Sequence, residues 1–208
     1  ITQLVFVVYG IIVVFPMVWL GYTAFKSTSE LFASAWALPV EWKLDNFVEA
    51  WTEAQIGDFF WNSIFVTIST LMVQLFLGAM ASYALAKYRF RGQNLIYYGF
   101  LAGLMFPIFL SLVPLFFLVK GLGLLDTYLG IILVYAAFGL PFTVFVLTAF
   151  FRTIPTTIME AGIMDGCGHF TLFLRVMLPL AKPGLTTVGI FTFISIWNEY
   201  ILALVLLS

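Results

Sequence analysis

Five long apolar runs alternate with short polar stretches along this chain, and the alternation predicts helices that cross a membrane. Residues 3–25 carry no charge, and at 1.5 Å per residue a helix of that length crosses a hydrocarbon core of about 30 Å. Comparable runs at 60–87, 94–119, 128–151 and 183–208 predict four further spans. Between the first two lies an acidic loop, 26–58, in which Glu30, Glu41, Asp45, Glu49, Glu53 and Asp58 face only Lys26 and Lys43. Inside it Phe47, Ala50, Trp51 and Ala54 recur at helical spacing, which predicts a short interfacial helix capped by Asp45 or Asn46. Pro107 and Pro114 remove backbone donors from the third span and predict a kink or broken turn there. Pro141 predicts another break in the fourth.

Charge placement orients these spans. Lys87, Arg89, Arg91, Arg152, Arg175 and Lys182 fall on one side of the predicted membrane, and Lys26, Lys43 and Lys120 on the other. Six against three places the first group in the cytoplasm, with Lys87, Arg89 and Arg91 as the tightest anchor of the topology. The loop 153–182 then lies on the cytoplasmic side.

Composition agrees and narrows the function. Of 208 residues, 63% are hydrophobic and 9% charged, against about a quarter charged in an ordinary soluble domain. A net charge of −1 offers no basic surface for nucleic acid. One cysteine, Cys167, and one histidine, His169, exclude an internal disulfide and the paired-ligand metal motifs, and both are expected to pack or face solvent near the loop. No glycine is followed by lysine, so the phosphate-binding loop of an ATPase is missing from this sequence. An enzyme reading has no nucleophile with a base, no carboxylate pair and no metal cluster to rest on.

The loop carries the most specific pattern. It reads EAGIMDGCGHFTLFLRVMLP from Glu160 to Pro179, with Pro155 just upstream and Gly166 suited to a left-handed helix end. A short helix, a turn and a return are predicted. Glu160, Ala161 and Gly162, then Gly166 after three residues, then Val176, Leu178 and Pro179 after nine more, resemble the EAA loop of binding-protein-dependent ABC importer permeases. Gly162 replaces the usual third-place alanine and Val176 the usual isoleucine. Two further stretches resemble the maltose-type carbohydrate permeases, in particular their smaller subunit: the run from Tyr83 to Gly92, and Trp197, Asn198, Glu199 and Tyr200.

That resemblance implies an all-α polytopic membrane helix bundle of the type I importer permease fold, forming a single domain over 1–208. Family members have six spans, of which five fit here, so the last is expected beyond Ser208. It implies that the loop is a coupling helix seated in a groove of a separate ATPase. Glu160 supplies charge to that groove, Ala161 and Gly162 allow close seating, Asp165 lies beside the turn, Gly166 turns the chain back, and Leu178 and Pro179 close the motif. It also implies a heterodimer with a second homologous permease, an ATPase dimer holding ATP and magnesium, an extracytoplasmic solute-binding protein, a sugar substrate, and a bacterial or archaeal cytoplasmic membrane. No cofactor is expected in this chain.

Glu199 falls roughly 24 Å along the last span from Pro183, where a carboxylate is costly unless it faces protein or water. Two readings stand for Asn198 and Glu199: the translocation path or permease interface, and a helix–helix hydrogen bond without a substrate role. For the whole chain, an importer permease for a non-sugar solute and an ATPase-independent channel or assembly protein are the alternatives.

Overall fold

The computed structural model describes residues 2–207; Ile1 and Ser208, the ends of the expected domain, lie outside the described residues. Helices are the only regular elements among the described residues, and the chain divides into two compact units, Ile1–Asn62 and Ser63–Ser208.

In the first unit, α1 (Thr2–Thr23) has no charge and no buried residue, as suits a helix whose surroundings are apolar. The chain then turns back on the end of this helix. Asn46 Nδ2 donates to the carbonyls of Ala24 and Lys26 at 2.9 and 2.8 Å, and the Lys26 ammonium, 5% exposed, donates to the Ser34 carbonyl. Carbonyls just past the helix end thereby find donors without water. Helix α2 (Thr28–Ala33) starts with a capping box of Ser27 and Glu30. Helix α3 (Asp45–Thr52) follows where the apolar spacing predicted it, but neither Asp45 nor Asn46 caps it: the cap position is Leu44, with no side-chain bond. Asn46 is committed instead to the carbonyls of Ala24 and Lys26, just past the end of α1. Phe25 packs against both Trp42 and Phe47, with ring centroids 5.1 and 5.0 Å away.

Helix α4 (Ile56–Lys87) leads into the second unit. Next come α5 (Gln93–Leu104) and α6 (Ile108–Gly121), bent by 104° at the break before Pro107. Pro107 holds extended backbone and caps α6, so the break falls there and the helix runs on through Pro114. Helix α7 (Tyr128–Thr153) begins at Thr127, whose hydroxyl accepts from the Gly130 amide. It passes through Pro141 without a break, contrary to the expectation from sequence. The ring lies against α5 at Gly103, where an added Cβ would come within 2.9 Å of Pro141 Cγ. The segment that follows α7 is α8 (Thr156–Met164), α9 (His169–Leu172), a π-helical turn (Phe173–Met177) and α10 (Leu178–Leu180). After a 74° bend, α11 (Lys182–Trp197) and α12 (Ile201–Leu206) finish the described chain.

Helices α1, α4 and α7 are each long and apolar enough to cross a membrane, and the two bent pairs raise the candidates to five. The expected run 183–208 is interrupted at 198–200. Asn198 bonds back to the Ile194 carbonyl and Glu199 accepts from amides of the next helix, so local side-chain bonds compete with helix continuation.

Helix α7 is the axis of the second unit, with Val144, Leu147 and Phe151 fully buried. A polar knot joins it to two neighbours: Gln74 on α4, 1% exposed, donates to Thr143 on α7 at 2.8 Å and to Thr192 on α11 at 3.0 Å. Such bonds contribute about 0.6 to 1.7 kcal/mol each between membrane helices, and they fix the register of three helices at once.

Candidate coupling site

Helix α8 leaves α7 through Ile154 and Pro155. Ile154 takes extended backbone, as a residue before proline must, which ends α7. Pro155 keeps extended backbone at the cap position, one residue earlier than a first-turn proline. The far end closes as a Schellman motif: the Gly166 amide bonds the Ile163 carbonyl and the Cys167 amide the Gly162 carbonyl, both at 3.0 Å. Gly166 has φ +81°, the left-handed conformation that this closure requires.

Gly162 has a second reason to be glycine. A Cβ at this position would come within 2.5 Å of Leu172 Cδ1 on the returning helix, and Leu172 is fully buried. The departure from the family's alanine is therefore matched by a neighbour that fills the space. Ile158 and Met159 also pack toward the buried cluster of Phe151, Leu172, Phe173 and Met177. Glu160, Ala161, Ile163, Met164, Asp165 and Gly166 are exposed, with Met164 at 87%. An apolar and acidic face on a short helix, outside the predicted spans and held from behind by a packed cluster, suits attachment to another protein.

The return is shaped by Pro179. Its missing N–H and its ring are incompatible with an α-helical bond to Arg175, and the π-helical turn directly upstream absorbs the extra residue. Leu178 packs on the buried cluster, while Pro179 is exposed. Val176 is half-buried against the same cluster.

The structure brings the Tyr83 to Gly92 stretch against this hairpin. Lys87 Nζ donates to the Ile154 carbonyl at the hairpin's entry. Tyr88 Oη is 2.9 Å from His169 Nδ1 at its return, and 3.1 Å from Tyr83 Oη. The Tyr83 ring packs against Phe151 and Phe173 at 5.8 and 5.3 Å. Gln93 Nε2 donates to the Leu85 carbonyl, and the Arg152 guanidinium lies over the Tyr97 ring at 5.1 Å, so α5 joins the same assembly. Arg89 and Arg91 are exposed, whereas Lys87 is half-buried and bonded. Sequence reading did not pair these groups, and His169 had been expected only to pack or face solvent. A separation of 81 positions between Tyr88 and His169 leaves no local signal.

At the other end of the unit, the Glu199 carboxylate accepts from Tyr135 Oη on α7 at 2.6 Å and from the Leu202 and Ala203 amides at 2.7 and 3.2 Å. It starts α12 and ties it to α7. Asn198 is exposed. Among the described residues, no group of three His, Cys, Asp or Glu side chains is placed to hold a metal ion.

Residues 74–208 match the family described as binding-protein-dependent transport system inner membrane component. Over 206 residues the chain is 46% identical to the diacetylchitobiose uptake system permease protein NgcG of Streptomyces coelicolor, covering 99% of this chain and 68% of that protein. It is 36% identical over 189 residues to the trehalose transport system permease protein SugB of Mycobacterium tuberculosis, covering 91% and 69%. The fold is similar to a chain in the crystal structure of a bacterial ABC transporter involved in the import of the acidic polysaccharide alginate. There the TM-score is 0.88 and the identity 26%, over 100% of this chain and 73% of that one. The chain spans about two thirds of the length of the curated relatives it matches.

Proposed function

The chain belongs to the binding-protein-dependent transport system inner membrane component family, and we propose that it forms half of the translocation path of an importer for a carbohydrate. As a member of that family it is a multi-pass inner-membrane permease component of an ABC transporter, not its ATPase, and needs no cofactor of its own. The sugar reading is carried by one observation: relatives at 46% and 36% identity are named for the uptake of diacetylchitobiose and trehalose.

In this reading α8 docks on an ATPase dimer through Glu160, Ala161 and the exposed Ile163 and Met164, with Gly162, Asp165 and Gly166 shaping the helix end. Leu178 and Pro179 hold the return to the bundle. A second, homologous permease completes the path, and an extracytoplasmic binding protein delivers the sugar. Asn198, which is exposed, is assigned to the path side or the permease interface of the last helices, and Glu199 beside it to holding α12 against α7. ATP binding by the partner moves α8, and alternating access follows as the packed second unit moves with it.

The test is purification of the full-length protein from its native membrane in mild detergent, with mass spectrometry of what remains bound. An ATPase, a second permease and a binding protein retaining a sugar are expected. Recovery of the chain alone under several detergents would remove the importer reading, and a binding protein retaining a non-sugar solute would remove the carbohydrate.

A further inference from the structure

The coupling hairpin is gripped twice by one short stretch of α4 and the residue after it. At the entry, Lys87 donates to the carbonyl of Ile154, the cap residue at the end of α7. Carbonyls at a helix C-terminus lack intrahelical donors and carry the negative end of the helix dipole, so an ammonium there forms a charge-assisted bond with a favourable field. At the return, the Tyr88 hydroxyl meets His169 Nδ1, the first residue of α9, and is itself met by the hydroxyl of Tyr83. Entry and return are thus bonded to positions 87 and 88, which are adjacent in the chain.

The apolar cluster beneath the hairpin fixes distance but not direction. Dispersion contacts among Phe151, Leu172, Phe173 and Met177 tolerate sliding, whereas a hydrogen bond holds its partner along a defined line. Two such bonds, one on each limb of the hairpin, resist rotation of α8 about the end of α7. We propose that Lys87 and Tyr88 are positioning residues that clamp the coupling hairpin to α4, so that displacement of α8 by the ATPase is delivered to α4 and through Gln74 to α7 and α11. This rests on the docking reading of α8. Lys87 then has a task beyond orienting the chain in the membrane, which Arg89 and Arg91, exposed and close in sequence, still serve when it is replaced.

The test uses the complete transporter reconstituted in proteoliposomes, with the co-purified binding protein and the ligand it retains as the probe. Lys87→Met keeps the aliphatic stem and removes the donor. Tyr88→Phe keeps the ring and removes the hydroxyl. In the double variant the ATPase is expected to co-purify and hydrolyse ATP at its basal rate, while stimulation by the loaded binding protein falls at least about five-fold, the lower range of an allosteric coupling. Lys87→Arg retains a donor and is expected to keep the stimulation. Unchanged stimulation in the double variant would overturn the clamp. So would loss of the ATPase from both single variants, because the residues would then be serving assembly. The docking reading fails by a different result: Glu160→Arg with ATPase content and stimulation both intact.

Discussion

Single side chains in this protein have consequences that their chemistry alone would not indicate. Gly162→Ala gains about 0.8–1 kcal/mol of helix propensity, yet the new methyl meets fully buried Leu172, and overpacking costs about 1–3 kcal/mol. The expected outcome is a lower melting temperature of the detergent-purified protein. The double variant Gly162→Ala with Leu172→Val should recover most of the loss, and additive losses in that cycle would show that the two positions are not coupled. Glu199 is a second case. The structure bonds its carboxylate to Tyr135, Leu202 and Ala203. Glu199→Gln keeps one acceptor oxygen, whereas Glu199→Leu leaves these donors without theirs, at about 1–3 kcal/mol. The leucine variant should therefore melt well below the glutamine variant. If it instead melts with the unaltered protein but transports nothing, the carboxylate acts in the path rather than in the fold.

Helices meet in this bundle through their smallest residues, as expected where lipid supplies no hydrophobic drive between them. Gly78 on α4 faces Thr143 on α7, Gly103 on α5 faces Pro141 on α7, and Gly184 on α11 faces Phe150 and Leu147 on α7. Thr143 cannot turn aside, because its hydroxyl accepts from Gln74 and donates to the Gly139 carbonyl. Gly78→Ala should accordingly destabilise the protein by about 1–3 kcal/mol, while Gly99→Ala, at a position open for 4 Å around, should not. Matching thermal melts for the two variants would refute this close approach. The same contacts explain which elements were legible in the sequence. Long uncharged runs marked α1, α4 and α7, and the glycine and proline of the docking stretch marked α8, its turn and its return. Pro141 misled because a proline tells of a missing donor but not of the glycine on another helix that receives its ring. Asn46 misled because its partners, Ala24 and Lys26, are 22 and 20 positions away. The interruption at 198–200 contains neither glycine nor proline, and it exists through bonds that Asn198 and Glu199 make with their neighbours.

At the scale of the whole chain, charge and exposed apolar surface constrain the same question, which side of the membrane each polar segment occupies. Helix α1 buries none of its residues, so its apolar surface requires lipid or another protein around it. An open groove along α4 and α11 is lined mainly by apolar side chains, Leu71, Leu75, Leu185 and Phe193 among them, with Lys182 and Thr186 at it as well. The polar segments, by contrast, differ in their balance of charge: the basic residues at the end of α4 and around α8 outnumber Glu160 and Asp165 on one side of the predicted spans, and six acidic residues outnumber Lys26 and Lys43 in the stretch 26–58 on the other. The positive-inside bias then predicts α8 on the cytoplasmic side, where the proposed docking on an ATPase would take place, and α3 on the outer side. Cysteines placed at exposed Asp165 and exposed Glu41, each with Cys167→Ser, test both together. A membrane-impermeant thiol reagent should label Glu41→Cys in intact spheroplasts and Asp165→Cys only in inside-out vesicles. Labelling of both from one side would break the five-span count, and labelling of Asp165→Cys from outside would leave the coupling helix with no ATPase to meet.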